Sequence, residues 1–261
     1  MISHQDSLRS IANDLLAAYQ SREPIAPPRT VVTDLDITDA YAIQQIQEKD
    51  FVARGHKVIG RKVGLTSLAM QRQLGVDSPD FGFFTDADLF EAGAAIPVDR
   101  FISPKVEPEL AFVLEEDLGP GATLEEARKA VKSAHLAVEI IDSRVRDWDI
   151  RLVDTIADNA SFGAIVWDPT PVDLDLEQAT EVHASMALDG QVVGEGVGKD
   201  VMGDPLLPLP WLAGILDEQG TALRAGDIVL TGSFCGAVAF EAGQHLTVSY
   251  GPYGTIDVRF N

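Results

Sequence analysis

The sequence predicts an α+β fold, a helical N-terminal region followed by a β-rich body. Two patterns lead there. Apolar residues recur at helical spacing up to Gly55, with few strand signals among them. Beyond it, short apolar runs bounded by glycine-bearing turns dominate. A hydrophobic share of 46% over 261 residues suffices for a sizeable core. It fits one large domain, or a catalytic domain with a smaller appendage.

The first helix is read from Leu8, Ile11, Ala12, Leu15, Leu16 and Tyr19, and Pro24, Pro27 and Pro28 close it. Asp36 to Asp39 offer caps for a second helix through Tyr41, Ile46 and Val52, ended by Gly55. Lys57 to Thr66 reads as a short glycine-punctuated strand, and Ser67 to Leu74 as one or two helical turns closed by Gly75. Asp77 to Gly82 is dense in turn formers and reads as an ordered loop, so composition makes Asp80 a turn residue. Thr123-Leu124-Glu125-Glu126 is a capping box opening a helix. Ala134 to Ile141 has the near-continuous apolar character of a strand buried on both faces. The next segment, Asp142 to Asp149, reads as too charged for a core, and Asp154 to Ser161 as a loop leading into a strand over Gly163 to Trp167. Asp189-Gly190 marks a hairpin. Pro208 and Pro210 should delay the last helix until Trp211, and Gly220 ends it. Ile228–Thr231, Leu246–Tyr250 and Thr255–Phe260 read as strands.

The formal charge of −21 and a pI near 4.4 argue against nucleic acid and anionic membranes as partners. An anionic small substrate would need local cations, either a metal or well-placed lysines. One cysteine, Cys235, permits no intrachain disulfide and fits a reducing cytoplasm. No signal-peptide pattern opens the chain, and no run approaches the roughly 20 apolar residues of a membrane span. A cytoplasmic protein is expected.

Chemistry concentrates in Pro104-Lys105-Val106-Glu107-Pro108-Glu109. On an extended strand Glu107 and Glu109 share a face. Two adjacent carboxylates repel unless a cation or proton lies between them, which suits a hard divalent ion. By itself the pair is better explained as a solvated strand face. Glu139, in the middle of a buried strand, must be paired, protonated or metal-bound. Glu107, Glu109 and Glu139 together would make a three-carboxylate site. Lys62, between glycine and β-branched residues, is either a carboxylate anchor or an ordinary lysine at a strand end.

Taken in order, Lys62–Thr66, Gln73–Asp77, Pro79–Gly82, Pro104–Val113, Glu139–Arg144, Asp147-Trp148, Asp154–Ser161 and Ala225-Gly226-Asp227 resemble the 2-oxopent-4-enoate (2-hydroxypenta-2,4-dienoate) hydratases of the fumarylacetoacetase-like superfamily. The resemblance spans nearly the whole chain. It implies a fumarylacetoacetase C-terminal-like mixed β-sandwich or roll with a small N-terminal helical region. The division is then a helical cap subdomain over 1–75 and a metal-binding β-rich catalytic domain over 76–261. Glu107, Glu109 and Glu139 match the family's Mg²⁺ or Mn²⁺ ligands. Lys62, Asp80 and Ser161 match catalytic positions, and Lys62, Leu74 and Ser161 the substrate-binding set. The implied substrate is a small anionic 2-hydroxydienoate from the meta-cleavage of aromatic compounds. Implied too are a homo-oligomer, a pentamer or decamer, and association with another pathway enzyme.

The closest alternative is 4-oxalocrotonate decarboxylase, a sister family with the same metal site. Asp147-Trp148-Asp149-Ile150 looks more like the hydratases. An acylpyruvate hydrolase would want a histidine paired with an acid, and none is evident. A non-catalytic scaffold would not need Lys62 with the full carboxylate set. Thr231–Val238 and Gly198–Pro205 depart from the simplest pentadienoate hydratases. That departure leaves the substituent at the substrate's fifth carbon open.

Overall fold

The computed structural model describes residues 3–67, 71 and 78–261. Among these residues two sheets carry the β-rich body, and neither closes into a barrel. The larger has eight strands in the order β2-β1-β10-β5-β6-β7-β3, with β11 added to β5. These are β1 Val58–Gly64, β2 Asp80–Thr85, β3 Leu89–Glu91, β5 Lys105–Leu114, β6 Val131–Ile141, β7 Phe162–Trp167, β10 Ile228–Leu230 and β11 Val238–Ala239. The smaller has the order β4-β13-β12-β8-β9: β4 Ala95–Ile96, β8 His183–Leu188, β9 Gln191–Val197, β12 His245–Ser249 and β13 Thr255–Phe260. Most pairings are antiparallel; β1–β10, β3–β7 and β4–β13 are parallel. The α+β expectation holds.

Helices α1 (His4–Ser21) and α3 (Ile37–Ala53) pack on each other, with α2 (Pro28–Val31) between them in sequence. Ser3 and Asp36 cap α1 and α3 by accepting from the amides of Asp6 and Asp39. Two buried glutamines tie α3 down. Gln44 donates to the carbonyls of Phe81 on β2 and Ile156, and Gln47 donates to that of Ala157. The strand β1, although it falls within the first 75 residues, is an interior strand between β2 and β10. Lys62 therefore belongs to the larger sheet and not to the helices.

Four local expectations change. Asp80 is not in a turn: it opens β2, where every residue is buried. Asp154 to Ser161 is not simply a loop, since Leu152–Ala157 forms helix α5 before a tight turn at Asn159–Ser161. The Asp142–Asp149 segment does enter the core, because Arg144 is buried at 1% exposure. The last helix, α6 (Pro208–Glu218), starts at Pro208, as proline at the first helical position gives up no needed donor. Helix α4 (Leu124–Ala130) has the expected capping box on Thr123 and Glu126. Of the turn expected over Ser67–Leu74 only Ser67 and Gln71 are among the described residues, and the expected binding residue Leu74 lies outside them.

Candidate active site

The carboxylates meet because of strand register. Glu107 on β5 lies directly opposite Glu139 on β6. Opposed residues point to the same face, and Glu109 two positions on joins them. One oxygen from each of the three lies within 4.8 Å of the others. Glu109 and Glu139 are buried; Glu107 remains partly exposed and marks the open side.

Few donors serve these oxygens. Gly232 N–H donates to Glu109 Oε2 at 2.9 Å. Both Glu139 oxygens are buried without a hydrogen-bond partner among the described residues. Lys62 Nζ stands 3.2 Å from Glu139 Oε1, an ion-pair contact, and spends a well-formed hydrogen bond on the Ala160 carbonyl at 2.9 Å. Burial pushes the Glu107 carboxyl up to about 8, with the Glu139 charge adding to it and the two lysines opposing. Burial, then the charges of Glu139 and Glu107, hold Glu109 well above the carboxylate range. Glu139 is raised by burial as well, against the pull of Lys62. Burial alone would lower Lys62, but the surrounding carboxylates, Glu139 foremost, outweigh it and keep the ammonium charged. Once ionised, the three carboxylates would carry more negative charge than Lys62 and Lys105 offset. A divalent cation with oxygen ligands answers that deficit and the orphaned Glu139 oxygens together.

A second polar line runs from the lysine. Asp80 lies opposite Gly64 in the β1–β2 ladder. A Cβ at Gly64 would stand 2.4 Å from Asp80 Oδ1 and 3.0 Å from Lys62 Nζ, so only glycine lets the two groups approach there. Thr155 Oγ1 donates to Asp80 Oδ2 at 3.1 Å and lies 3.4 Å from Ser161 Oγ. Burial raises the Asp80 carboxyl, with Lys62 and Thr155 opposing. A buried acid with a raised pKa, held beside a lysine and a hydroxyl, is suited to proton transfer. Six expected residues, Lys62, Asp80, Glu107, Glu109, Glu139 and Ser161, are thus drawn together from four strands and one turn.

Below the site, Arg144 forms a 2.5 Å ion pair with Asp158 and donates to the carbonyls of Asp142, Asp158 and Phe162. Tyr250, from the turn after β12, reaches across from the smaller sheet. Its hydroxyl accepts from Glu109 N–H at 3.1 Å and donates to the carbonyl of Ala137. Glu109 and Ala137 are register partners, so the hydroxyl is inserted between β5 and β6 beside the carboxylates. On the open side, Lys105 shares the Glu107 face and rests 4.1 Å from the centre of the Trp148 ring.

The model of the fumarylacetoacetate hydrolase C-terminal domain matches residues 57–261. The chain belongs to this fumarylacetoacetate hydrolase family. The match starts at the threshold of β1, so the family's domain takes in the Lys62 strand and leaves α1–α3 outside. Within the family, a 2-keto-4-pentenoate hydratase of Burkholderia vietnamiensis is 42% identical over 99% of both chains. Its counterpart from Paraburkholderia phymatum is 40% identical over 100% of both. The 4-oxalocrotonate decarboxylase from Pseudomonas putida G7, solved with magnesium and adipate, superposes with a TM-score of 0.94. It is 30% identical to this chain, covering 100% of it and 99% of its own.

Sequence reasoning did not single out Thr155, Tyr250, the Ala160 carbonyl or the Gly232 amide. Two of these act through backbone atoms, which carry no residue signature. Lys105 was detectable by the alternation that paired the glutamates.

Proposed function

We propose that this protein is a divalent-metal-dependent hydratase of 2-hydroxypenta-2,4-dienoate or a 5-substituted analogue, yielding a 4-hydroxy-2-oxo acid. The observation that carries the reading is the convergence of Glu107, Glu109 and Glu139 beside a buried, charged Lys62. The full-length likeness to proteins named as hydratases supports hydration as the outcome. Glu107, Glu109 and Glu139 would hold Mg²⁺ or Mn²⁺, which supplies Lewis-acid polarisation of the substrate's 1-carboxylate and 2-oxygen.

Lys62 presents its ammonium where negative charge grows on the 2-oxygen as the enol loses its proton. Its bond to the Ala160 carbonyl and its ion pair with Glu139 fix that position in advance. Asp80, close to the lysine and raised by burial, gives a proton to the fifth carbon and regains one from that released by the enol oxygen, which turns the dienol into an α,β-unsaturated ketone. Thr155, with Ser161 beside it, orients Asp80, and the two hydroxyls are offered to the water that adds at the fourth carbon. The proposal places this step in the meta-cleavage breakdown of aromatic compounds, in the cytoplasm, in a homo-oligomer of five or ten subunits associated with another pathway enzyme.

Product analysis tests it. 2-Hydroxypenta-2,4-dienoate and 4-oxalocrotonate are each incubated with protein and Mg²⁺, with and without a chelator. Metal-dependent gain of water by the pentadienoate is expected. Loss of carbon dioxide from the oxalocrotonate alone would move the protein to the decarboxylase branch.

A further inference from the structure

The turn that supplies the Lys62 acceptor has an uncommon backbone. Asn159, Ala160 and Ser161 all take left-handed conformations, with φ of 52°, 52° and 51°. Side chains disfavour that region, and asparagine tolerates it better than most. Three in a row persist only where the surroundings impose them. The Asn159 side chain is the visible restraint. Its Oδ1 accepts from Phe83 N–H at 2.8 Å and its Nδ2 donates to the Phe83 carbonyl at 2.9 Å. β2 is the outer strand at that end of the larger sheet. The amide therefore does the work of a one-residue neighbouring strand, pairing both backbone groups of Phe83.

The clamp lies one residue from the register partner of the lysine, because Gly82 is opposite Lys62. A Cβ at Gly82 would stand 2.5 Å from the Asn159 carbonyl oxygen and 2.9 Å from its Oδ1. The turn can lie this close to the strand only over a glycine. The next two residues do the site's work: the Ala160 carbonyl receives Lys62 Nζ, and Ser161 joins Thr155 and Asp80.

We infer that Asn159 is a positioning residue for the hydration chemistry, the amide whose grip on Phe83 sets the Ala160 acceptor against Lys62. The inference rests on the hydratase reading for what Lys62 does, but not for where Lys62 is held. Aspartate cannot replace the residue, because an ionised carboxylate has no donor for the Phe83 carbonyl. Alanine loses both bonds. Glycine keeps the backbone conformation and loses the clamp, which makes it the informative change.

The test compares the parent protein with Asn159→Gly and with Gly82→Ala, which opens the same contact from the other side. The first readout needs no substrate: the rate at which Lys62 is modified by a small acylating reagent, followed by mass spectrometry of its peptide. Both variants are expected to label Lys62 at least about tenfold faster than the parent. The second is kcat per bound Mn²⁺, which normalises for misfolded protein. It should fall about tenfold or more, with Mn²⁺ affinity within about threefold of the parent, as a lost positioning contact predicts. Parent-like labelling in both folded variants, or an unchanged kcat per bound Mn²⁺ with only a lower Tm, would overturn the inference. A parent that labels as expected but hydrates nothing would refute the hydratase reading and leave the positioning claim standing.

Discussion

Metal binding at this site should be a proton exchange, and pH is the perturbation that exposes it. Without metal, burial and the Glu139 charge hold Glu107 at about 8, and Glu109 lies well above its usual range. Both would have to ionise to act as the proposed ligands. A group with a pKa of about 8 is ionised in half the molecules at pH 8 and in roughly one in a hundred at pH 6, so Glu107 alone should weaken Mg²⁺ binding about fiftyfold over that range, ~2.3 kcal/mol. Glu109 steepens the dependence. The assay is calorimetric titration of Mg²⁺ at pH 6, 7 and 8 in two buffers of different ionisation enthalpy. Release of about one to two protons per ion is expected near pH 6.5. The same shifts set the metal-free stability. The native state keeps protons that the unfolded chain gives up between about 4.5 and 8, so stability falls as pH rises through that window, and saturating Mg²⁺ should abolish the decline. An affinity constant within about threefold from pH 6 to 8, with no proton release, would refute the reasoning.

Three further outcomes follow from the contacts. Lys62→Met should lower kcat by about 10²–10³-fold in a folded protein, the scale for losing one preorganised donor at developing charge, read by steady-state kinetics alongside circular dichroism. Arg144→Met should cost roughly 3–5 kcal/mol because it strands the buried Asp158 carboxylate, seen as a large fall in the denaturant midpoint. Tyr250→Phe should cost about 1–3 kcal/mol through the unmet Glu109 N–H and Ala137 carbonyl, with a Tm lowered by about 2–4 °C per kcal/mol.

Much of this was legible before any coordinates. The caps at Asp36 and Thr123, the helical spacing in α1 and the i, i+2 glutamates each depend on neighbours in sequence, and local rules apply to them. The meeting of Glu107 with Glu139 needed only that β5 and β6 pair in this register. What local rules misread are groups whose partners are distant. Asp80 sits among turn formers, yet its environment is set by Lys62 and Thr155. Arg144 lies in a charged run that reads as solvated. It can be buried because Asp158 and three carbonyls satisfy it, and no pattern within the run announces them. The left-handed turn at Asn159–Ser161 contains no glycine, so the usual marker of positive φ is missing.

The Tyr250 hydroxyl carries a broader implication. It is a shim between β5 and β6 at the Glu109–Ala137 pair, so the spacing of the two carboxylate-bearing strands is gauged from the other sheet. The tyrosine is in turn anchored by its own amide to the Gly254 carbonyl. Changes in the Gly251–Tyr253 turn would reach the carboxylates through one rigid ring. A search for variants that prefer a larger or smaller ion should begin at that turn, away from the proposed ligands themselves.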